Sequence, residues 1–594
     1  MPRLSTAEAT VESLLRHGID TVYALPGLHN DPLFDAFYHA ADRLRVIHPR
    51  HEQTAAYMAL GAALATGKPQ VFSVVPGPGL LNAGAAMLTA YGMNAPVIGL
   101  IGQIPQADID RGHGHLHEIH DQLGLMRHFT KWAERIRGPQ EAPGLVSQAI
   151  WQATTGRPRP VALECALDTW AKVGEVVLPD VPLTPPPDAI DGEAITVAAK
   201  ILGAAERPII VLGGGAMDAS AEVMQLAGML EAPVSSYRRG RGIIPSSHRL
   251  AVDMPIGHRL WKDADAVLAV GTRFFIQNGS WGIDDKLKVV RVDIDPDEPD
   301  RLRKPDVALV GDAAPQLRAL IAALPKYNRK RPSRADEING HRAWFAERLS
   351  RLEPQVGFLQ AIRAALPEDG IFVDEVSQIG FASRVALPIE RPRTYLSPGY
   401  QDNLGWGFGT ALGAKAAMPD KKVLAIAGDG GFLYQMGELA TAARHNIAVV
   451  VVVFDNIVAT RLALKPGAVE LLDTLDALDL PRAIATSSSH RTAQHHLAAH
   501  ELVDRFHQIV AHGDYAAGKP APDPYLKAAE RLGVDPGLCL ALEDSHNGVR
   551  SASAAGMMTI MVPDLLEATD EIKSLCTFVV PDLHVVRRLV LAAQ

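Results

Sequence analysis

Cysteine is nearly missing: 3 occur in 594 residues. Cys165, Cys539 and Cys576 cannot supply a disulfide framework for a chain of this length, and their expected role is that of small hydrophobes in a reducing compartment. Aromatic residues make up only 6 %, so the cores must be aliphatic. No stretch reaches the ~20 uninterrupted apolar residues of a membrane span. The opening MPRLSTAEATVESLL carries an early acid and no long apolar core, unlike a secretory leader. An excess of cations is also lacking: 58 Lys plus Arg stand against 67 Asp plus Glu, a net charge of −9. That balance argues against a protein built mainly to bind nucleic acid. What is present, 47 % hydrophobic and 21 % charged residues, is ordinary globular composition. A prior of ~150 residues per domain predicts roughly four domains, in a chain expected to be cytoplasmic with neither a nucleic-acid nor a membrane partner.

Two segments read as linkers: the proline-rich VLPDVPLTPPPDAIDGE (177–193) and the charged LPKYNRKRPSRADE (324–337). Between them short apolar runs alternate with longer helical patterns. Strands are predicted at 71–75, 96–102, 160–166, 207–215, 266–272, 288–295, 370–375, 422–431 and 447–456. Runs of this kind without strict alternation suit strands covered on both faces, and strand–helix–strand succession implies doubly wound parallel sheets. The predicted fold class is α/β, with several such domains.

The motif with most chemistry is GDGGFLYQMGELATAARHNIAVVVVVFDN. Gly428, Gly430 and Gly431 follow a strand and precede a helix, where backbone N–H groups can approach a diphosphate. Asp429 offers a hard oxygen to Mg²⁺, and Asn456, at the end of the next strand, offers a second. Far upstream, Arg50-His51-Glu52 opens an Ala-rich helix.

Together these segments resemble the thiamine diphosphate-dependent enzymes of the acetolactate synthase and benzoylformate decarboxylase group, over about residues 1–456. In that resemblance Glu52 activates the cofactor by bonding its aminopyrimidine ring. LPG (25–27), with Pro26 and Gly27, matches the family's first strand–turn. VVPGPGLLNA (74–83), with Asn82, matches its Gly-rich second turn, and IGQIP (101–105), with Gln103, the turn after it. EVSQ (375–378), with Glu375, Ser377 and Gln378, matches a loop near the diphosphate. LSPGYQDNLGWGFGTALGAKAA (396–417) contains Asn403 and puts Leu404 where a bulky aliphatic wedges the cofactor into its bent shape. The implied order is a pyrimidine-binding block (1–180), a central block (190–325) and a truncated diphosphate/Mg²⁺-binding block (340–456). The implied activity is decarboxylation or carboligation of a 2-oxo acid, at a site shared between chains of a homodimer or homotetramer. Acetolactate synthases carry GTDAFQE where this chain has GHGHLHE (112–118); His117 there is either a proton relay or a polar loop residue. FAD, which acetolactate synthases hold in the central block, is called for by no motif in GGGAM (213–217) or GTRFF (271–275).

After Asn456 the resemblance changes. Residues 457–594 resemble haloacid dehalogenase-like phosphatases of the β-phosphoglucomutase branch. PRAIATSSS gives Ser487, GKPAPDPYL gives Lys519, and LALEDSHNG gives Glu543 and Asp544, the family's phosphoryl-binding and Mg²⁺-binding positions. The nucleophile position falls on Asp455, but Ile457 stands where the acid/base Asp belongs, and the cap is missing. The alternatives to the first activity are therefore a phosphatase-type activity of this segment or an inactive fusion. Strands 481–487 and 539–543 are expected to join the sheet that carries 447–454, because an open parallel edge invites aggregation.

Overall fold

The apolar runs become the centres of parallel ladders. The computed structural model describes residues 1–179, 189–454, 464–563 and 567–593, in two units, 1–454 and 455–594.

The first unit holds three parallel sheets. The first runs Arg45–Ile47, Thr21–Ala24, Gln70–Val74, Val97–Gln103, Val161–Ala166, Trp132–Ile136 across its width. The second runs Ala251–Val252, Val234–Ser236, Pro208–Leu212, Ala266–Val270, Lys288–Asp293, Val307–Val310. Its order reverses beside Pro208–Leu212 and Ala266–Val270, which makes a crevice at their carboxyl ends, where doubly wound sheets bind ligands. The third is short: Tyr395–Leu396, Ile371–Val373, Val423–Gly428, Val450–Phe454.

One helix pair joins the first and third sheets. In Glu52–Thr66 every residue from Thr54 to Ala65 is buried, as befits a helix that is apolar on all sides. It crosses Gly407–Ala417 closely enough that a Cβ on Gly61 would lie 2.0 Å from the Thr410 carbonyl oxygen, and one on Gly413 1.9 Å from that of Met58. Small residues at this crossing let the two helices pack backbone to backbone and join the first and third sheets.

The second linker is pinned. Arg331 donates to the carbonyls of Leu202, Gly203 and Ala205, satisfying the C-terminal end of helix Gly192–Ala204. Part of the first linker lies outside the described residues.

In the second unit, Ala483–Ala485 pairs with Gln508–Val510, and Leu540–Glu543 with Met558–Met561 and then Phe578–Val579, all parallel. This corrects the expected composite sheet. Among the described residues Val450–Phe454 ends its own sheet, and the later strands find partners within their own strand–helix–strand units. Val450 and Val453 are consequently exposed, at 56 % and 40 %.

Candidate functional site

Glu52 occupies the first turn of its helix, and the amide of Asn82 donates to its Oε2 at 3.1 Å. The turn before it is held from the third sheet's side: the backbone N–H groups of Arg50 and His51 donate to the Glu438 carboxylate at 2.9–3.0 Å, and Thr441 Oγ1 donates to the same group at 2.5 Å. Glu438 lies nine positions after Asp429, so the GDGG segment and the Arg-His-Glu segment are tied together within one chain. Pro26 is exposed and Gly27 half-buried; a Cβ on Gly27 would lie 2.6 Å from Val75 Cγ1.

The third sheet presents the other half. Asp429 stands exposed just past strand Val423–Gly428, beside half-buried Gly428, exposed Gly430 and buried Gly431. Ser377 caps helix Gln378–Ala386 by accepting from Gly380 N–H, and Gln378 is exposed at that helix start. Asn403 donates to Tyr57 Oη and accepts from Thr89 Oγ1 at 3.0 Å, which fixes the segment that ends in Leu404, 44 % exposed. Asn456 and Asp455 lie outside the described residues.

Glu375 is the electrostatic anomaly of this half. It is fully buried, wedged where a Cβ on Gly407 or Gly431 would lie 2.8 or 3.0 Å from it, and it accepts from Gly405 N–H at 2.5 Å. Its Oε2 is buried without a partner. Burial pushes its carboxyl from 4.5 up to about 7, and the neighbouring Asp374 adds to that, against the pull of backbone N–H donors. The folded protein therefore keeps a proton that the unfolded chain releases. The contribution of Glu375 to the stability of the ligand-free protein should be fully present below pH ~4.5, fall as the pH rises to ~7, and then level off, a loss of ~3 kcal/mol from this group. Glu375→Gln should flatten that dependence in thermal melts at pH 5 and 8.

The GHGHLHE loop lies against the first sheet's turns. A Cβ on Gly77 would lie 2.5 Å from the His117 carbonyl oxygen, and the His117 ring stacks on His29 with centroids 5.1 Å apart. The Gly77 turn is anchored from below: Gly77 N–H donates to Gln122, and Gln122 donates to the buried carboxylate of Glu164, which also takes Arg135. Gln103 belongs to this buried cluster. Its amide faces Glu164 at 3.4 Å and its carbonyl accepts from Ile104 N–H, so the structure gives it a partner inside the fold.

A cavity of about 900 Å³ opens at the crevice of the central sheet, lined by Gly213–Gly215, Gly271 and residues of both other sheets' domains. Arg239, Arg273 and Arg393 face it. Burial and the charges of Arg393 and Arg273 bring the Arg239 guanidinium down to about 10. A glycine-lined crevice with converging guanidiniums is suited to an anionic nucleotide-like ligand.

The sequence comparisons identify the family. The thiamine pyrophosphate enzyme N-terminal domain matches residues 4–125, and the central domain of the same enzymes matches 195–320. The probable 2-ketoarginine decarboxylase of Pseudomonas aeruginosa is 33 % identical over 450 residues, 74 % of this chain and 80 % of that protein. The chain belongs to the thiamine diphosphate-dependent enzymes. Within them it is also similar to the probable acetolactate synthase large subunit of Methanocaldococcus jannaschii, 33 % over 490 residues (76 % and 80 %), and to the Escherichia coli isozyme 1 large subunit, 30 % over 470 (76 % and 82 %). A haloacid dehalogenase-like hydrolase model matches 339–556. That match begins well before the second unit and runs across the third sheet of the thiamine diphosphate enzyme.

In the second unit, Lys519 forms an ion pair with buried Glu543, and Tyr525 Oη donates to the same carboxylate at 2.5 Å. Asp544 N–H donates to Glu543 at 3.2 Å, and its exposed carboxylate lies 3.7 Å from Lys465. The structure thus gathers Lys519, Glu543 and Asp544, with Ser487 exposed beyond the end of strand Ala483–Ala485. The sequence reading missed Glu438 and the arginines of the cavity. The only signal for Glu438 was an acid on the segment following GDGG.

Among the described residues no helix is long and apolar enough to cross a membrane.

Proposed function

We propose that this chain binds thiamine diphosphate through Mg²⁺ and acts on a 2-oxo acid, releasing CO₂ and a product that is either protonated or joined to an acceptor. The observation that carries this is the Glu52 carboxylate oriented by the Asn82 amide at a helix start whose turn is fixed by Glu438; in a site shared between chains this half would face the Asp429 half of a second copy. The residues fit the cofactor. Asp429 is a hard oxygen donor between glycines, suited to Mg²⁺, and buried Glu375 has an unpartnered oxygen beside the segment ending in Leu404. When bound, thiamine diphosphate supplies the carbon nucleophile and the electron sink for decarboxylation. Glu52 would hold the aminopyrimidine, Asp429 with Asn456 the metal and Leu404 the bend, with His117 a candidate proton relay on the loop against Gly77.

We place the enzyme in the cytoplasm as a homodimer or homotetramer. Leu81, Leu433, Tyr434 and Leu439 are 51–63 % exposed around the two halves of the site, the kind of apolar surface that a second copy covers. The central cavity would suit an anionic nucleotide-like ligand, FAD among them, and a flavin absorption band in the purified protein would show it. The hydrolase reading is not favoured, because Ile457 cannot transfer a proton.

The test is calorimetric titration with thiamine diphosphate in Mg²⁺. Binding by the wild type and at least ~10-fold weaker binding by Asp429→Ala is the expected result; no binding by the wild type, or equal binding by both, overturns the proposal.

A further inference from the structure

We infer that Asp108, His113 and His115 form a binding site for a divalent cation of the zinc class, on the loop that carries His117. The three ligand atoms lie within 4.8 Å of one another. His113 Nδ1 is 3.2 Å from Asp108 Oδ1, and His115 Nε2 is 3.2 Å from Asp108 Oδ2. A tetrahedral zinc ion with arms of ~2.0–2.1 Å sets its ligand atoms ~3.3–3.4 Å apart. Each imidazole nitrogen thus already lies at about that spacing from one oxygen of the Asp108 carboxylate, the two imidazoles meeting different oxygens, so a cation held through one of those oxygens would draw the second imidazole toward it.

The donor chemistry selects the metal class. Two imidazoles and one carboxylate suit Zn²⁺ and its late first-row neighbours, whereas Mg²⁺ and Ca²⁺ take oxygen ligands. This site is therefore distinct in kind from the Mg²⁺ proposed at Asp429, and it does not rest on that proposal. Its fourth position faces solvent, since the side chains of His113, His115 and Asp108 are 52 %, 36 % and 28 % exposed.

The loop is organised before any metal arrives. The Glu118 carboxylate accepts from the backbone N–H groups of Gly112 at 2.9 Å, Gly114 at 2.6 Å and His115 at 2.9 Å. Gly112 and Gly114 have φ of +68° and +78°, a region glycine enters without strain. These reversals flank His113 and bring both imidazoles to the same carboxylate. The two imidazole–carboxylate pairs are by themselves weak ties at a largely exposed position. A bound cation would tie residue 108 to residue 115 and so hold His117, two residues on, against Gly77 and His29.

The experiment uses the full chain without an affinity tag, stripped by chelator and kept in excess Mg²⁺. Zn²⁺ is titrated by calorimetry, and Co²⁺ is added separately to read the intense visible bands of tetrahedral coordination. The chain has 22 histidines, so the decisive quantity is the difference between proteins. The wild type should bind one equivalent more than His113→Ala/His115→Ala and than Asp108→Asn, with that equivalent weakened ~100-fold or lost in both variants. Metal-free melting temperatures should match, and thiamine diphosphate binding in Mg²⁺ should be unchanged. No zinc binding by the wild type, or the same stoichiometry and affinity in the variants, overturns the inference and leaves an ion-paired cluster only.

Discussion

Glu52→Gln is expected to lower turnover of any accepted 2-oxo acid by ~10²–10⁴-fold, the usual effect of removing a positioned acid–base group. The amide keeps the length and one hydrogen-bonding oxygen of the carboxylate, so the Asn82 contact at 3.1 Å can survive. What is lost is the negative charge, which favours the protonated ring nitrogen that the proposed activation needs. The turn around it should stay in place, because Arg50 and His51 are held by Glu438 through backbone N–H groups that the substitution does not touch. Binding of thiamine diphosphate should fall far less than turnover. The check is CO₂ release across a 2-oxo acid panel, with cofactor binding measured in parallel. A variant retaining more than about a tenth of wild-type turnover would remove Glu52 from this role.

The parallel strands were legible because strands buried on both faces need near-continuous aliphatic runs, as in VLAIAG at Val423–Gly428. The cofactor motifs were legible for a different reason: glycines where a ligand approaches the backbone, and a hard acid at a strand end, are local demands that leave a local pattern. Glu438 was not legible, because the backbone N–H groups it holds, those of Arg50 and His51, lie nearly 400 positions away and an acid on a helix is usually only solvated. Gln103, a candidate catalytic residue by its motif, shows the same limit. Its motif placed it beside a turn, but the buried charge of Glu164 draws its amide inward. The expected composite sheet failed because edge avoidance gives a reason to pair without specifying the partner. The strand Leu540–Glu543 is four-residue paired to Met558–Met561, and that local crossover competes successfully with any distant edge. The exposed Val450 and Val453 are the visible consequence. The central cavity was not legible: GGGAM and GTRFF called for no ligand by themselves, and Gly213–Gly215, Arg239 and Arg273 come to one cavity only through tertiary packing.

Arg384→Met is expected to destabilise the protein by ~3–5 kcal/mol, the cost of stripping one partner from a buried charge pair. Arg384 is 4 % exposed; its Nε lies 3.1 Å from Asp374 Oδ2, and its two terminal nitrogens grip Asp402 at 2.7 and 3.1 Å. Asp374 is wholly buried, and burial alone would drive its carboxyl up; the Arg384 guanidinium and the Tyr395 hydroxyl, 2.9 Å away, oppose that. Removing the guanidinium leaves Asp374 to take up a proton or remain charged without compensation. Methionine fills much of the same volume, so the loss is electrostatic rather than a cavity effect. The consequence reaches the site, because Asp402 immediately precedes Asn403 and Leu404, and among the described residues only Arg238, at 2.6 Å, would still hold its carboxylate. Adding Asp374→Asn should recover more than half of the lost stability by removing the orphaned charge, whereas thiamine diphosphate affinity should stay reduced because Asp402 remains loosened. Urea midpoints of the two variants and the wild type, read with cofactor titrations, separate the two effects. Equal destabilisation in the single and double variants would mean that packing, not the buried charge, sets the cost.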